Sequence, residues 1–447
     1  MILRRENRRK LQVTRMDPSN RMSAKEAFGG LPPICESCKE IHGDGTSKEP
    51  FRVPAAEIRS RGDRLRSALR RAKMGAMAVV QRTDLFYLTG TAQTGLLWFP
   101  SRGEPVLFVR RFFPRAREEC PLAEVLPVRS WKDIPSLLEK RGYRPPEVMG
   151  MEWDVLPVRQ YRFFRDLLPA ARYEDVSPLL MAVRMQKSDW EIAQMHRTAE
   201  ISKQVFEFIH RSIRPGVTEI AFTGEYESFA RSIGHAAGLR VRDCQTEVYN
   251  WHLLAGAAGG ECGLLDSPAS GVGTSAAFPC GASQRPLAER EPILIDVGTV
   301  HNGYHMDETR MFAIEELPRE ALAASRASME IHDALIDAVR PGVTAGSVFD
   351  TAVRMAERMG WGKAFLGPPG HKVRFVGHGI GLELVEPPLL AKGRQETITA
   401  GMTLALEPKL VAAGRFSAGI ESVVEVTASG ARLISRVPVD VFVKKMK

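Results

Sequence analysis

The spacing of apolar and polar residues predicts two folded regions of different type that follow an unpatterned segment. Residues 1–50 show neither helical nor strand periodicity and carry five basic residues within the first ten, so we predict a flexible basic arm there. From residue 53 to about residue 180, apolar residues at helical spacing alternate with short apolar strands. This alternation is typical of an α/β domain, which we predict over residues 53–182.

A long amphipathic helix is predicted to open the second region. Ser188 can cap this helix, and Glu191 lies three residues later, which is the spacing of a capping box. Beyond it, helices are predicted at about 217–234, 317–339 and 344–359, with strand hairpins between them. The expected fold is therefore an α/β domain followed by an α+β domain over residues 183–447.

Composition supports two domains and narrows the cellular setting. The chain has 447 residues, of which 44% are apolar and 26% charged, more than one core usually organises. A net charge of +9 permits polyanion binding but is diluted along this length. The six cysteines form no disulfide framework, and Cys35 and Cys38 lack a second pair for a zinc site. The wide spacing of the last four cysteines fits reduced thiols in a cytoplasm, and neither a signal peptide nor a membrane-spanning run is visible. We therefore expect a soluble cytoplasmic protein without a membrane partner.

The segment ILIDVGTVHNGYHMDETRMF predicts a hairpin that carries two aspartates. Asn302 and Gly303 form the dipeptide that favours a two-residue turn. With this turn, Asp307 lies opposite Gly298, so Asp296 and Asp307 become diagonal neighbours on one face. Two aspartates in a hairpin can simply face water, but an unpaired carboxylate inside ILID would cost several kcal/mol. The pair is therefore predicted to share an ion.

Three further residues extend this candidate site. His378 lies in FVGHGIGLE between alternating glycines, which leave room for a close approach on one strand face. Glu407 ends the apolar run GMTLAL, and Glu421 begins GIESVVEVT. Taken alone, each of these three residues would be interpreted as a structural residue or as a residue at the end of a strand. Together with the aspartates, they put four carboxylates in one domain, which cannot all stay ionised without cations, so we predict divalent metal.

The five residues and their contexts resemble a known family. Asp296, Asp307, His378, Glu407 and Glu421 stand in the contexts IDVG, GYxxDxTR, GHGIGLE, GMxxxxEP and GIE. This order resembles the pita-bread metallopeptidases, namely methionine aminopeptidases, proline-specific aminopeptidases and prolidases, with creatinase as a metal-free relative. The resemblance extends over about residues 53–435. It implies a creatinase/prolidase-like amino-terminal domain, a pita-bread catalytic domain and a homodimer.

The resemblance also implies a dinuclear metal site. Asp296 would bind one ion, His378 and Glu407 would bind the other, and Asp307 and Glu421 would bridge both. Carboxylates with one imidazole suit manganese best, with cobalt, zinc or iron as further possibilities. Two such ions activate a bridging water for amide hydrolysis.

The same resemblance assigns roles around the ions. Glu407 would take the proton of the attacking water and pass it to the leaving nitrogen. Thr309 and Arg310 would support the ligands, with a packing role equally open.

Two positions depart from the family pattern. Val385 stands seven residues after His378, where the peptidases carry a histidine, and Cys280 stands where another family histidine aligns. Valine cannot donate a hydrogen bond, and losing such a donor typically costs about 100- to 1000-fold in turnover. His305 and His371 are considered as replacements, although an incidental role is favoured for both, and packing is favoured for Cys280.

Three functions remain open at this point. The leading prediction is a dinuclear hydrolase of a small peptide, similar to Xaa-Pro aminopeptidases and dipeptidases. The alternative keeps the metals but moves the substrate to a non-peptide C–N bond, as in the creatinase branch. The third is a non-catalytic binding module, which the basic arm favours and the intact ligand set opposes. Nucleic acid is an unexpected partner because interleaved aromatics are missing.

Overall fold

The computed structural model describes residues 50–168, 170, 172–243, 251–263 and 267–446. The predicted basic arm, apart from Pro50, lies outside the described residues, as do Cys35, Cys38 and Cys244. The chain divides into the units Met1–Pro50 and Phe51–Lys447, and the description below concerns the second. Within the described part, no helix is both long and apolar enough to cross a bilayer.

The amino-terminal part is an α/β layer structure, as predicted. Its sheet has the strand order β4-β3-β2-β1-β5-β6, with β2 antiparallel to both of its neighbours and the other pairs parallel. The strands are β1 Ala76–Val79, β2 Gly95–Pro100, β3 Val106–Val109, β4 Glu124–Pro127, β5 Val148–Met151 and β6 Arg172–Asp175. The helices are α1 Ala55–Arg71, α2 Arg82–Thr89, α3 Phe113–Glu119, α4 Ile134–Glu139, α5 Val158–Leu167 and α6 Ser177–Met185, with a short 3-10 helix at Trp131–Asp133.

The carboxy-terminal part is α+β, as predicted, and contains three sheets. Their strand orders are β17-β9-β8-β7, β11-β10-β12-β15-β16 and β13-β14. The strands are β7 Trp251–Ala255, β8 Ile293–His301, β9 Tyr304–Ile314, β10 Phe375–Gly379, β11 Glu386–Ala391, β12 Thr403–Leu406, β13 Lys409–Ala412, β14 Phe416–Gly419, β15 Ser422–Val426, β16 Ala431–Leu433 and β17 Val441–Lys444. The helices are α7 Asp189–Ser212, α8 Glu219–Ser232, α9 Arg319–Ala338 and α10 Ala345–Arg358, with a 3-10 helix at Gly256–Gly260.

Local signals in the sequence correctly placed the main elements of this part. Ser188 caps α7, and Glu191 completes the capping box. Helices α8, α9 and α10 begin and end within two residues of their predicted bounds. Helical periodicity located these elements because each buries one face against a sheet.

The predicted hairpin register is confirmed. Strands β8 and β9 pair antiparallel with Gly298 opposite Asp307 and Asp296 opposite Thr309. The turn residues Asn302 and Gly303 have φ of 52° and 86°, the left-handed conformation that a two-residue turn of this type requires. The register places both aspartates on one face of the hairpin.

The core is continuous between the amino-terminal sheet and the α+β part. One hydrophobic cluster joins Leu65 of α1 and Val79 of β1 to Met195 of α7 and Ile380, which follows β10. Each fully buried side chain of this size contributes about 1.5–3 kcal/mol. The amino-terminal sheet is therefore packed firmly onto the part of the chain that carries the predicted site.

Candidate active site

The structure brings the five predicted ligands together at one cavity. The hairpin supplies Asp296 and Asp307, and β10 supplies His378. Glu407 directly follows β12, and Glu421 directly precedes β15. All five line a cavity of about 150 Å³.

The oxygens that face His378 are arranged as ligands of one cation would be. His378 Nε2 lies 3.6 Å from Glu407 Oε1, 3.9 Å from Asp307 Oδ2 and 4.0 Å from Glu421 Oε1. Atoms that bind one ion at about 2.0–2.2 Å lie about 3–4.4 Å from one another. Among the described residues, Asp307, His378 and Glu421 offer ligand atoms that all lie within 4.8 Å of each other. This donor set fits one divalent ion.

A lysine that the sequence analysis missed lies among the same carboxylates. Lys409 Nζ donates to Asp296 Oδ2 at 3.0 Å, to Glu407 Oε2 at 3.0 Å and to Glu421 Oε2 at 3.1 Å. Its side chain is only 3% exposed. A signal was present, because Lys409 interrupts an apolar run two residues after Glu407, where strand periodicity would return it to the same face.

The charges of the cluster shift the pKa values of its carboxyl groups in opposite directions. Burial and the neighbouring Glu421 and Asp296 raise the pKa of Asp307 well above its ordinary value. Burial likewise raises the pKa of Glu421, to about 8, although Lys409 opposes the shift. Burial also opposes the ionisation of Asp296, yet Lys409 and His252 bring its pKa below the ordinary value. Asp307 and Glu421 therefore favour the protonated form unless a cation lies beside them, whereas Asp296 favours the ionised form beside Lys409.

One oxygen at the His378 end has no donor within the described part of the chain. Glu421 Oε1 is buried and accepts no hydrogen bond there. A buried carboxylate oxygen without a partner is costly unless a proton or a cation meets it. This oxygen is one of those that face His378, so the chemistry of the donor set again fits a cation at that position.

Thr309 and Arg310 hold Glu421 in place. Thr309 Oγ1 donates to Glu421 Oε2 at 3.0 Å, and the two backbones pair through hydrogen bonds of 3.3 and 3.1 Å. The fully buried Arg310 guanidinium donates to the carbonyls of Thr309, Val437 and Pro438 at 2.7–2.8 Å, and also to the carbonyl of Glu421. The predicted supporting role of both residues stays a prediction, but these contacts favour it.

Val385 and Cys280, at the two positions that depart from the family pattern, occupy different places. Val385 lines the cavity and is 41% exposed, whereas Cys280 is buried and is absent from the described cavity wall. The apolar Val385 therefore forms part of the cavity wall. Cys280 lies where packing, its favoured role, is possible.

Neither replacement histidine presents its ring to the cavity. His305 accepts a hydrogen bond from the Arg240 amide at 3.0 Å, and its other ring nitrogen contacts the Gly381 carbonyl at 2.9 Å. Both nitrogens are therefore engaged by the backbone. His371 is exposed and is not part of the described cavity wall.

A different histidine lines the cavity. His252 of β7 is the cross-strand partner of Asp296. Burial lowers the pKa of His252, with Asp296 opposing the shift, so the neutral imidazole is favoured. The sequence analysis missed it because the pairing of β7 with β8 joins segments about forty residues apart, and local periodicity does not report such a register.

The alternating glycines around His378 allow the close approach of neighbouring strands. A Cβ added at Gly377 would lie 2.3 Å from the Ala405 carbonyl oxygen, and one at Gly379 would lie 2.2 Å from that of Pro387. The neighbouring strands β12 and β11 fill the space at these positions. The predicted close approach is therefore found at these two glycines, and the groups that approach are backbone carbonyls of the same sheet.

Comparisons with known proteins agree with the geometry. A family model described as Metallopeptidase family M24 matches residues 193–428, and one described as Creatinase/Prolidase N-terminal domain matches residues 61–186. The Xaa-Pro dipeptidase of Lactobacillus delbrueckii subsp. lactis is 25% identical over 302 residues, which is 67% of this chain and 73% of the relative. The probable dipeptidase PepE of Mycobacterium tuberculosis is 26% identical over 387 residues, which is 83% of this chain and 92% of the relative.

Solved structures show the same fold. The Xaa-Pro dipeptidase from Bacillus anthracis superposes with a TM-score of 0.73 at 22% identity, over 87% of this chain and 100% of that one. Dipeptidase PepE from Mycobacterium ulcerans gives a TM-score of 0.72 at 23% identity, over 89% and 100%. The predicted family resemblance and fold class, including the creatinase/prolidase-like domain, are confirmed by these matches.

Proposed function

This chain belongs to metallopeptidase family M24, and on that premise we propose that it hydrolyses a dipeptide-sized Xaa-Pro substrate with the help of a bound divalent ion. The match confirms the prediction of a metallohydrolase. The observation that carries the proposal is the group of three carboxylate oxygens 3.6–4.0 Å from His378 Nε2 at a cavity wall.

The proposed ligands of the ion are Asp307, His378, Glu407 and Glu421. Hard carboxylate oxygens with one imidazole make manganese our first choice, before cobalt, zinc and iron. The chemistry that such an ion supplies when bound is polarisation of the scissile carbonyl and activation of water. The second ion of the dinuclear prediction is less well supported, because Lys409 occupies the oxygens of Asp296 and of both glutamates on that side.

Glu407 is the proposed general base. Its Oε1 faces the His378 end, and its Oε2 accepts a hydrogen bond from Lys409 at 3.0 Å, which fixes the plane of the carboxylate. In this orientation Glu407 takes a proton from the attacking water and delivers it to the leaving nitrogen. Lys409 is thus a positioning residue for Glu407.

The cavity supports a small substrate with an apolar ring. Its remaining walls include Leu239, Phe375, Leu384 and Val385, and its volume of about 150 Å³ is that of a site for a benzene-sized ring. A proline side chain is of this class. His252 is the remaining histidine of the described wall, and we propose that it contacts the substrate carbonyl in place of the two family histidines.

One observation favours a second candidate. Val385 presents an apolar, 41% exposed surface at the position where the family resemblance implies a histidine. A substrate whose transition state needs one donor fewer, such as a non-peptide amide or another C–N bond, would tolerate this change.

The remaining predictions keep that status. The division of the chain at residues 182 and 183 is supported by the two matched segments, which end at 186 and begin at 193. The homodimer implied by the resemblance and the cytoplasmic location inferred from the cysteines also stay predictions.

The test compares two adjacent isosteric substitutions on β9. Asp307→Asn removes a proposed ligand, whereas Glu308→Gln changes the next carboxylate, which faces Ser202 on the other side of the strand. We expect the wild type and Glu308→Gln to bind manganese and release proline from Xaa-Pro dipeptides, and Asp307→Asn to lose at least about 100-fold in turnover. Metal binding without proline release, together with cleavage of a non-peptide amide, would favour the second candidate. A wild type that binds no metal would contradict the proposal.

A further inference from the structure

We propose that the Lys409 ammonium takes the place of the second metal ion, so that this site holds a single divalent ion beside a built-in organic cation. The inference rests on the proposed function in that it assumes the ion at the His378 end. It concerns the opposite end, where Asp296 lies.

The carboxylates divide their oxygens between two cation positions. Glu407 and Glu421 each turn Oε2 to Lys409 Nζ, at 3.0 and 3.1 Å, and Oε1 towards His378 Nε2, at 3.6 and 4.0 Å. Asp296 Oδ2 belongs to the first position, at 3.0 Å from Nζ, and Asp307 Oδ2 belongs to the second. This is the pattern of carboxylates that bridge two cations, and Nζ stands at one of the two positions.

The fold is built around the lysine stem. Lys409 begins β13 and is paired with Gly419 of β14. A Cβ added at Gly419 would lie only 2.6 Å from Lys409 Cγ, so the absence of a side chain there makes the space that the lysine uses. The Lys409 carbonyl also accepts a hydrogen bond of 2.9 Å from the Leu366 amide. The residue is therefore held at both its backbone and its side chain.

Charge and distance exclude a second ion while the lysine stays. An ion at the Asp296 end would need the oxygens of Asp296, Glu407 and Glu421 that contact Lys409. It would bind them at about 2.0–2.2 Å, whereas Lys409 Nζ lies 3.0–3.1 Å from them. The ion and the Lys409 ammonium would then share the same oxygens, and two cations so close together repel strongly in a buried site. One ammonium and one divalent ion offset three of the four carboxylate charges, and a second divalent ion would reverse the sign of the net charge.

The assignment changes the roles of two residues. Asp296 becomes the counter-ion of Lys409 and leaves the ligand set. Lys409 orients Glu407 and Glu421, a task that the second ion would otherwise perform. Hydrolysis at this site then proceeds with one Lewis acid, and Lys409 contributes fixed positive charge near it.

The experiment measures manganese per chain in three full-length proteins after equilibration and removal of free ion. Lys409→Met keeps the length of the stem without the charge and frees the oxygens of Asp296. Lys187→Met is the matched control, because Lys187 is also buried and pairs with Glu386 at 3.0 Å, away from the proposed ligands. We expect about one ion in the wild type and in Lys187→Met, and about two in Lys409→Met.

Electron paramagnetic resonance of the manganese-loaded wild type gives a reading that does not depend on the variants. The spectrum of an isolated Mn²⁺ ion is expected, and that of an exchange-coupled pair would overturn the inference. Equal metal content in the wild type and Lys409→Met would overturn it too. Lys409→Gln repeats the comparison if the methionine variant fails to fold.

Failure of the proposed function would look different. If the wild type takes up no ion and releases no proline, the proposed function is wrong. A wild type that releases proline and holds two ions would instead keep the proposed function and overturn the inference alone.

Discussion

Replacing Arg184 by methionine should destabilise the whole described unit and not only one helix. The side chain of Arg184 lies in the interface between the amino-terminal sheet and the catalytic part, and this side chain is 1% exposed. It pairs with Asp84 at 2.8 Å and Glu383 at 2.9 Å, and also with Glu386. Methionine fills much of the volume but leaves three buried carboxylates with one cation fewer.

The pKa of Glu386 gives the size of the effect. Burial opposes its ionisation, yet Arg184 and Lys187 lower its pKa from 4.5 to about 2. At about 1.4 kcal/mol per pKa unit, this corresponds to about 3 kcal/mol of favourable interaction in the folded state. Loss of one partner from a buried ion pair typically costs about 3–5 kcal/mol. We therefore expect Arg184→Met to lower the free energy of unfolding by about 3–5 kcal/mol at pH 7.

Urea unfolding at several pH values tests this expectation. A carboxyl with a lowered folded-state pKa stabilises above its ordinary pKa of 4.5 and loses that contribution as pH falls towards 2. The difference between wild type and Arg184→Met should be full at pH 7 and shrink below pH 4.5. Arg415→Met is the control, since its pair with Glu320 is more than half exposed and solvent screens the attraction between the two charges. Equal losses for the two variants, or a difference independent of pH, would refute the reasoning.

Three further expectations concern the proposed metal end. Burial raises the pKa of Glu421 to about 8, so the ionised fraction of this carboxyl rises from about 0.1 at pH 7 to about 0.9 at pH 9. Manganese affinity measured by calorimetry should therefore increase about tenfold over this range. An affinity that stays constant would contradict this expectation. Thr309→Val removes the 3.0 Å hydrogen bond to Glu421 and should weaken manganese binding by about 10- to 100-fold. Calorimetry measures the affinity, and circular dichroism should show that the variant stays folded. An unchanged affinity would count against a supporting role for Thr309. Gly419→Ala should push the Lys409 stem aside and raise the manganese content, and a content equal to that of the wild type would contradict the close approach.

Local sequence signals were enough where short stretches decide the structure. The turn at Asn302 and Gly303 set the register of β8 against β9, because a two-residue loop fixes every pair that follows. That register placed Asp296 and Asp307 on one face. The cap at Ser188 and the amphipathic helices were also predictable, since capping and burial of one face act within a few turns.

Only the tertiary structure decided which buried cation neutralises which carboxylate of the site. The contact of Lys409 with Asp296 joins residues 113 positions apart, and that of Arg184 with Glu386 joins residues 202 apart. Which of several carboxylates receives a buried cation depends on how separate strands and helices stack, and no periodicity of the chain carries that information. The residues of the cluster and the fold class could thus be predicted from the amino-acid sequence. The presence of an ammonium group at a cation position, and the engagement of His305 by the backbone while His252 lines the cavity, followed from packing alone.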